Sequence, residues 1–233
     1  MTGLLTPQEA SALWLSIEVA VWCVVFLAVP GTVTGWLLAR GQFRGKAVAE
    51  VIVHLPLVLP PVVTGYLLLL LLGREGPIGG LLEGAFGVSV AFTWWAAVLA
   101  SAVVSFPLMV RAVKLSVELV DQRLEHAAAT LGASPLQVWL RVTLPLSLPG
   151  VLTGLVLAFA RSLGEFGATI TFAGNIAGET QTLPLALYNF TQIPGGEGAA
   201  TRLVVVSVLV SFAAMLASEL AAKRLSRMLG GKA

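Results

Sequence analysis

The sequence predicts an all-α, polytopic membrane protein. Three observations carry that prediction: 57% hydrophobic residues against 11% charged, a mean hydropathy of +0.92, and apolar runs long enough to cross a bilayer. Soluble domains hold about 25% charged residues, and a hydrocarbon core of ~30 Å needs about 20 helical residues. Suitable runs lie at 13–39, 51–72, 90–110, 148–165 and 203–222. Five spans within one transmembrane domain over 1–233 are therefore expected.

The first run, 13–39, has no Lys or Arg before Arg40, so it lacks the basic region of a removable signal and is expected to stay as a reverse-oriented anchor. Trp14 suits an interfacial position. Cys23 is the one cysteine, which rules out an internal disulfide or a cysteine metal site and leaves it as a small hydrophobe. The basic turn that follows contains Gly41-Gln-Phe-Arg-Gly45-Lys46-Ala47, one residue short of a nucleotide phosphate loop and without its Ser or Thr.

The second run is interrupted in its first half by Pro56, Pro60 and Pro61. Each proline removes a backbone donor, and the cluster is either a fixed kink or the hinge of a gate. His54 just before it reads as an interfacial hydrogen-bonding residue. The third run, 90–110, passes into a basic segment that is not apolar enough to cross.

That segment, 121–145, reads as a short helical hairpin. Asp121 is a candidate N-cap for a helix carrying Leu124, Ala127, Ala128 and Leu131, and Gly132 suits the left-handed residue that ends it. Ser134, Pro135 and Gln137 supply the N-cap, first-turn proline and capping-box partner of a second helix. This helix is expected to stop at Leu144–Pro145, because a residue before proline is pushed out of the helical region. The Ala127–Ala129 triplet offers little area for burial in lipid headgroups and suits close approach to a protein surface instead.

In the fourth run, Gly150, Gly154 and Ala158 form a row of small residues for helix packing. Arg161 and Glu165 stand four residues apart at a depth where charges pair or face a wet cavity. They are either a structural salt bridge or part of an anion path in which Arg161 supplies positive potential and Glu165 moderates it. From Phe166 to Thr201 the chain is too polar to span, with a short helix expected at Leu183–Thr191, Tyr188 as an interfacial anchor, and a turn at Gly195–Gly198.

Orientation follows from the cations. Arg40, Arg44, Lys46, Arg111, Lys114, Arg123, Arg141, Lys223, Arg224, Arg227 and Lys232 are eleven of the fourteen Lys and Arg residues and share one side. By the positive-inside rule the N-terminus is external and the C-terminus cytoplasmic. A pI near 9.0 therefore reflects membrane edges, not a nucleic-acid surface.

The spacing His126-Ala127-Ala128, Gly132 and Val142-x-Leu144-Pro145 resembles the EAA loop of ABC-importer permeases: Glu-Ala-Ala, three residues, Gly, nine residues, Ile-x-Leu-Pro. His126 stands where that pattern has Glu, with Glu125 one residue earlier, and Val142 replaces Ile. The blocks Ala160–Thr169, Asn175–Pro184, Pro194–Gly198 and His54–Pro61 are similar to the molybdate branch of the sulfate/molybdate permeases.

The resemblance implies a type I importer fold with about five transmembrane helices and a cytoplasmic coupling hairpin. Glu125, His126, Ala127, Ala128, Gly132, Val142, Leu144 and Pro145 would form the ATPase-coupling loop, with Pro56, Pro60, Pro61, Arg161 and Glu165 as candidate pathway or gate residues. The implied partners are a second copy of the chain, two cytoplasmic ATP-binding subunits, a periplasmic molybdate-binding protein and membrane lipid. The setting is the cytoplasmic (inner) membrane, with no metal or cofactor and no catalytic residues of its own. Sulfate, tungstate and thiosulfate are the competing cargoes. An ion-coupled carrier would need no docking hairpin, and a membrane enzyme would need a convergent catalytic set that His54 and His126, the two histidines, do not form.

Overall fold

The computed structural model describes residues 5–228, which hold helices and turns and, among the described residues, no strand. Lys232, used for the orientation, lies outside the described residues.

Helix α1, Pro7–Arg40, starts at a capping box: Glu9 N–H donates to the Thr6 hydroxyl, and Thr6 N–H donates to the Glu9 carboxylate at 2.8 Å. It is longer than the expected 13–39 because this polar cap lies outside the apolar run. The bundle is built by α1, α5 (Trp94–Glu118) and α8 (Leu144–Leu163), which pack along most of their lengths. Helix α5 is central: Met109, Val113 and Val117 are fully covered and meet Val151, Trp36 and Leu144. Gly150 and Gly154 allow α8 to approach, since a Cβ on Gly154 would lie 2.6 Å from Met109 Sδ and one on Gly150 would overlap Ser116. The small-residue row therefore serves packing, as its spacing suggests.

The second run is not a kinked span. It forms α2 (Lys46–Val58) and α3 (Pro61–Leu72), bent by 113° at the break. Both Leu59 and Pro60 precede a proline and are extended, with ψ of 142° and 131°. Pro61 then takes the first position of α3, where its missing N–H costs nothing, and Pro56 remains inside α2. Four described helices are long and apolar enough to cross a membrane, or five elements with this bent pair taken as one span.

The region from Phe166 onward also departs from a simple loop. After α4 (Pro77–Phe86), α5 and the hairpin, the chain leaves α8 and re-enters the protein as α9, Gly167–Phe172. Ala168 and Phe172 are fully buried with Leu15, Val19 and Val98. Helix α9 lies against α3 so closely that a Cβ on Gly65 would overlap Thr171 and Ala168. Six residues are too few for the apolar periodicity that marks a span, which is why composition hides it.

Helix α10 occupies Leu183–Thr191, the bounds expected. Its first N–H, on Leu183, donates to the Ser16 hydroxyl of α1 at 2.6 Å. Gly195 adopts φ +82° and α11 (Glu197–Met228) begins at once, so the expected glycine turn is shorter than Gly195–Gly198. Arg202 of α11 grips Glu9 of α1, with Nη2 2.6 Å from Oε1 and the carboxylate almost wholly covered. Over Glu197–Ala217, α11 packs lightly, with 11% of its most apolar stretch buried. Trp22, Phe26, Trp94 and Trp95 cluster where α5 begins, a grouping suited to an interfacial belt.

Candidate coupling hairpin and permeation path

The hairpin consists of α6 (Gln122–Thr130), α7 (Pro135–Val138) and a π-helical segment, Trp139–Thr143, that leads into α8. Asp121 caps α6 by accepting from Arg123 N–H at 2.9 Å. Gly132 has φ +89°, and two bonds close the turn: Gly132 N–H to Ala129 O at 3.0 Å and Ala133 N–H to Ala128 O at 3.1 Å. The Ser134–Gln137 capping box starts α7.

Contrary to the expected stop at Leu144–Pro145, the helical path from Pro135 to Leu163 is continuous. Leu144 has helical φ/ψ of −62° and −48°, and its N–H donates to Trp139 O, five residues back. A wide turn just before a proline relieves the clash between its ring and the preceding carbonyls. The hairpin is thus a direct extension of α8, and Pro145 sits in the first turn of α8, within one continuous helical path. Val142 is half-buried and Thr143 buried.

Glu125, the acid one residue before the position where the loop pattern has Glu, makes contacts within the chain. Arg40 Nε lies 3.0 Å from Glu125 Oε2 and 3.2 Å from Oε1, and Thr143 Oγ1 donates to Oε1 at 2.7 Å. Arg40 Nη2 also donates to the Val120 carbonyl at 2.7 Å. His126 is exposed, as is Ala127, while Ala128 is half-buried. Leu124, Leu131, Leu136 and Leu140 are 50%, 89%, 62% and 46% exposed, an apolar surface open for contact. Arg123 and Arg141, also exposed, flank it. Sequence reading missed Arg40 and Thr143 as site residues. Arg40 differs from neighbouring loop cations only by standing at a helix end, and Thr143 carries no local mark.

Glu165 does not sit within the fourth span. Helix α8 ends at Leu163, and Glu165 occupies the turn to α9, where its Oε1 accepts from Ala168 N–H at 2.8 Å. Oε2 lies 2.7 Å from Arg161 Nη2 and accepts no hydrogen bond, so this contact is an ion pair without hydrogen-bond alignment. The carboxylate side chain is 2% exposed and that of Arg161 29%. Pro61 lies near this site, since a Cβ on Gly167 would be 2.8 Å from Pro61 Cβ. Pro60 belongs to the break between α2 and α3, whereas Pro56 lies inside α2. His54 Nδ1 is 2.8 Å from the Glu50 carbonyl of its own helix, an ordinary hydrogen-bonding role.

A helical bundle with a broken second span, a short buried α9 and a capped hairpin extending one long apolar helix has the build of an ABC-importer membrane subunit. Solved structures share the fold: the inward-facing MetNI methionine ABC transporter (TM-score 0.74, 18% identity, 97% of this chain and 99% of that one) and a bacterial alginate ABC transporter in complex with alginate pentasaccharide-bound periplasmic protein (TM-score 0.71, 17% identity, 96% and 80%). The family model for the binding-protein-dependent transport system inner membrane component matches residues 31–227, and the chain belongs to that family. It is therefore a multi-pass component of an inner membrane transport system. Among its relatives are the molybdenum transport system permease proteins ModB of Haemophilus influenzae (56% identical, covering 96% of this chain and 97% of that one) and of Escherichia coli K12 (53%, covering 98% and 100%).

Proposed function

We propose that the chain is the permease subunit of an ATP-driven molybdate importer, a single transmembrane domain that works as two copies around a shared path. The observation that carries the cargo is its full-length kinship, above half identity, with permeases named for molybdenum transport. ATP is hydrolysed by separate cytoplasmic subunits that dock on the 121–145 hairpins, and a periplasmic binding protein delivers the anion to the opposite side. The distribution of Lys and Arg supports an external N-terminus and a cytoplasmic C-terminus.

In this reading, closure of the ATPase pair pushes the hairpins together and shifts the bundle between inward and outward access. The α2–α3 break, with Pro60 and Pro61, acts at the gate. Arg161 gives the path a positive edge, and Glu165 keeps that edge weak enough for a dianion to leave. Leu124, Leu131, Leu136 and Leu140 supply the contact area for the ATPase subunit.

The test is uptake by vesicles holding the permease, its ATPase subunits and binding protein, with molybdate, tungstate, sulfate or thiosulfate outside and ATP inside. ATP-dependent molybdate accumulation is expected. Accumulation driven by an ion gradient without ATP would make the chain a secondary carrier, and preferential sulfate uptake would reassign the cargo.

A further inference from the structure

We infer that Arg40, Glu125 and Thr143 are positioning residues: a strut that fixes the angle of the hairpin and delivers the ATPase stroke to α1, α5 and α8 as one body. The inference rests on the reading above that the hairpin receives this stroke. Four separate segments meet at the strut. Arg40 is the last residue of α1, Val120 lies in the turn that follows α5, Glu125 is on α6, and Thr143 closes the π-helical segment before α8. No rotation of the hairpin against the bundle leaves all these bonds in place.

Packing alone does not set the angle. Between the hairpin and the end of α1 lies a cleft of about 530 Å³, lined by Trp36, Arg40, Glu125, His126, Trp139 and Thr143 among others. The strut crosses this region together with one ring contact, Trp36 to Trp139, at 5.6 Å between centroids. Charge-assisted bonds from a planar guanidinium are directional, and with both charged side chains 15% exposed, water competes weakly for them. Thr143 makes the same point. A helical threonine commonly turns its hydroxyl back to its own helix, whereas this one donates across to Glu125.

A strut that carries motion differs from one that merely stabilises the fold in the ratio of transport to ATP spent. The experiment uses the complete complex in vesicles and measures molybdate uptake per ATP hydrolysed, alongside the amount of assembled complex. The variants are Glu125→Gln, Arg40→Lys and Thr143→Val. A single ammonium cannot serve Glu125 and the Val120 carbonyl with the geometry of the fork, and valine keeps the shape of threonine while leaving the ion pair intact. ATP hydrolysis should persist in response to the loaded binding protein. Uptake per ATP should fall about tenfold in Glu125→Gln, the scale of coupling between distant sites, with smaller losses in Arg40→Lys and Thr143→Val.

An unchanged ratio in all three variants would overturn the strut. So would loss of assembled complex in Glu125→Gln and Arg40→Lys with an unchanged ratio in Thr143→Val, since that pattern belongs to folding. If the unmodified complex accumulated molybdate without ATP, the importer reading itself would fall. An unchanged ratio in a complex that needs ATP removes the strut alone.

Discussion

Substituting Gly132 separates backbone strain from contact. Its φ is +89°, and a Cβ built there meets nothing within 4 Å, so a side chain would have space but the wrong backbone. An L-residue held in the left-handed region costs about 1–2 kcal/mol. If Gly132→Val escaped by moving φ, it would forfeit the two turn bonds, Gly132 N–H to Ala129 O and Ala133 N–H to Ala128 O. At about 0.5–1.5 kcal/mol each, the loss is of the same size. By either route the docking-competent hairpin falls about tenfold in population, and affinity for the ATPase subunit should fall by the same factor. The assay titrates the ATPase subunit onto the permease in lipid nanodiscs. Gly132→Asn is the control, since asparagine tolerates the left-handed region and should lose far less. Valine binding as well as glycine would refute the reasoning. Asparagine binding as poorly as valine would refute it too, by pointing to a clash with the partner.

Three further outcomes are expected. Arg161→Gln should reduce folded permease more than Glu165→Gln, because it strands a carboxylate that is 2% exposed whereas the reverse change leaves a cation that is 29% exposed; breaking a buried pair costs about 3–5 kcal/mol, and the check is folded abundance on size-exclusion chromatography, with equal losses counting against it. In a Cys23→Ser background, a cysteine at Glu197 should react with a membrane-impermeant thiol reagent in intact cells and one at Gln42 should not; labelling at position 42 would reverse the orientation. Because Arg123 and Arg141 are exposed and, among the described residues, form no ion pair, ATPase binding should weaken as salt rises and weaken further in Arg123→Glu/Arg141→Glu; affinity independent of salt would leave docking to the leucines alone.

What could be read from the sequence followed the range of the interactions that set it. Asp121, Gly132 and Ser134–Gln137 act on backbone groups within a few residues, so the hairpin's caps were legible. The apolar runs likewise marked α1, α5, α8 and α11 because a bilayer fixes helix length. Composition fails where two short helices share one run, as at Leu59–Pro60, and where a six-residue helix owes its place to a neighbour, as α9 does to Gly65. The proline rule misjudged Pro145 for a related reason. It assumes an α-helical register in the preceding turn, and the π-helical segment over Trp139–Thr143 changes that register.

The candidate site shows the same division more sharply. Glu125 was visible as an acid beside the position where the loop pattern expects one, but its partners are 85 residues before it and 18 after it. In the sequence little distinguishes Arg40 from Arg44 except that Arg40 stands where the apolar run ends, at the last residue of α1. Only the packing of α1 against α5 brings one of them beside Val120. The displacement of the acid by one residue then has a physical meaning. On α6 a shift of one position is a rotation of about 100°, enough to turn the carboxylate from the outward face, where His126 stands exposed, to the inward face where Arg40 and Thr143 hold it. Exposed leucines and the cations Arg123 and Arg141 remain outward among neutral polar and small residues, and on the proposed reading an ATPase surface that receives them would be apolar in part, with acidic groups toward the two arginines.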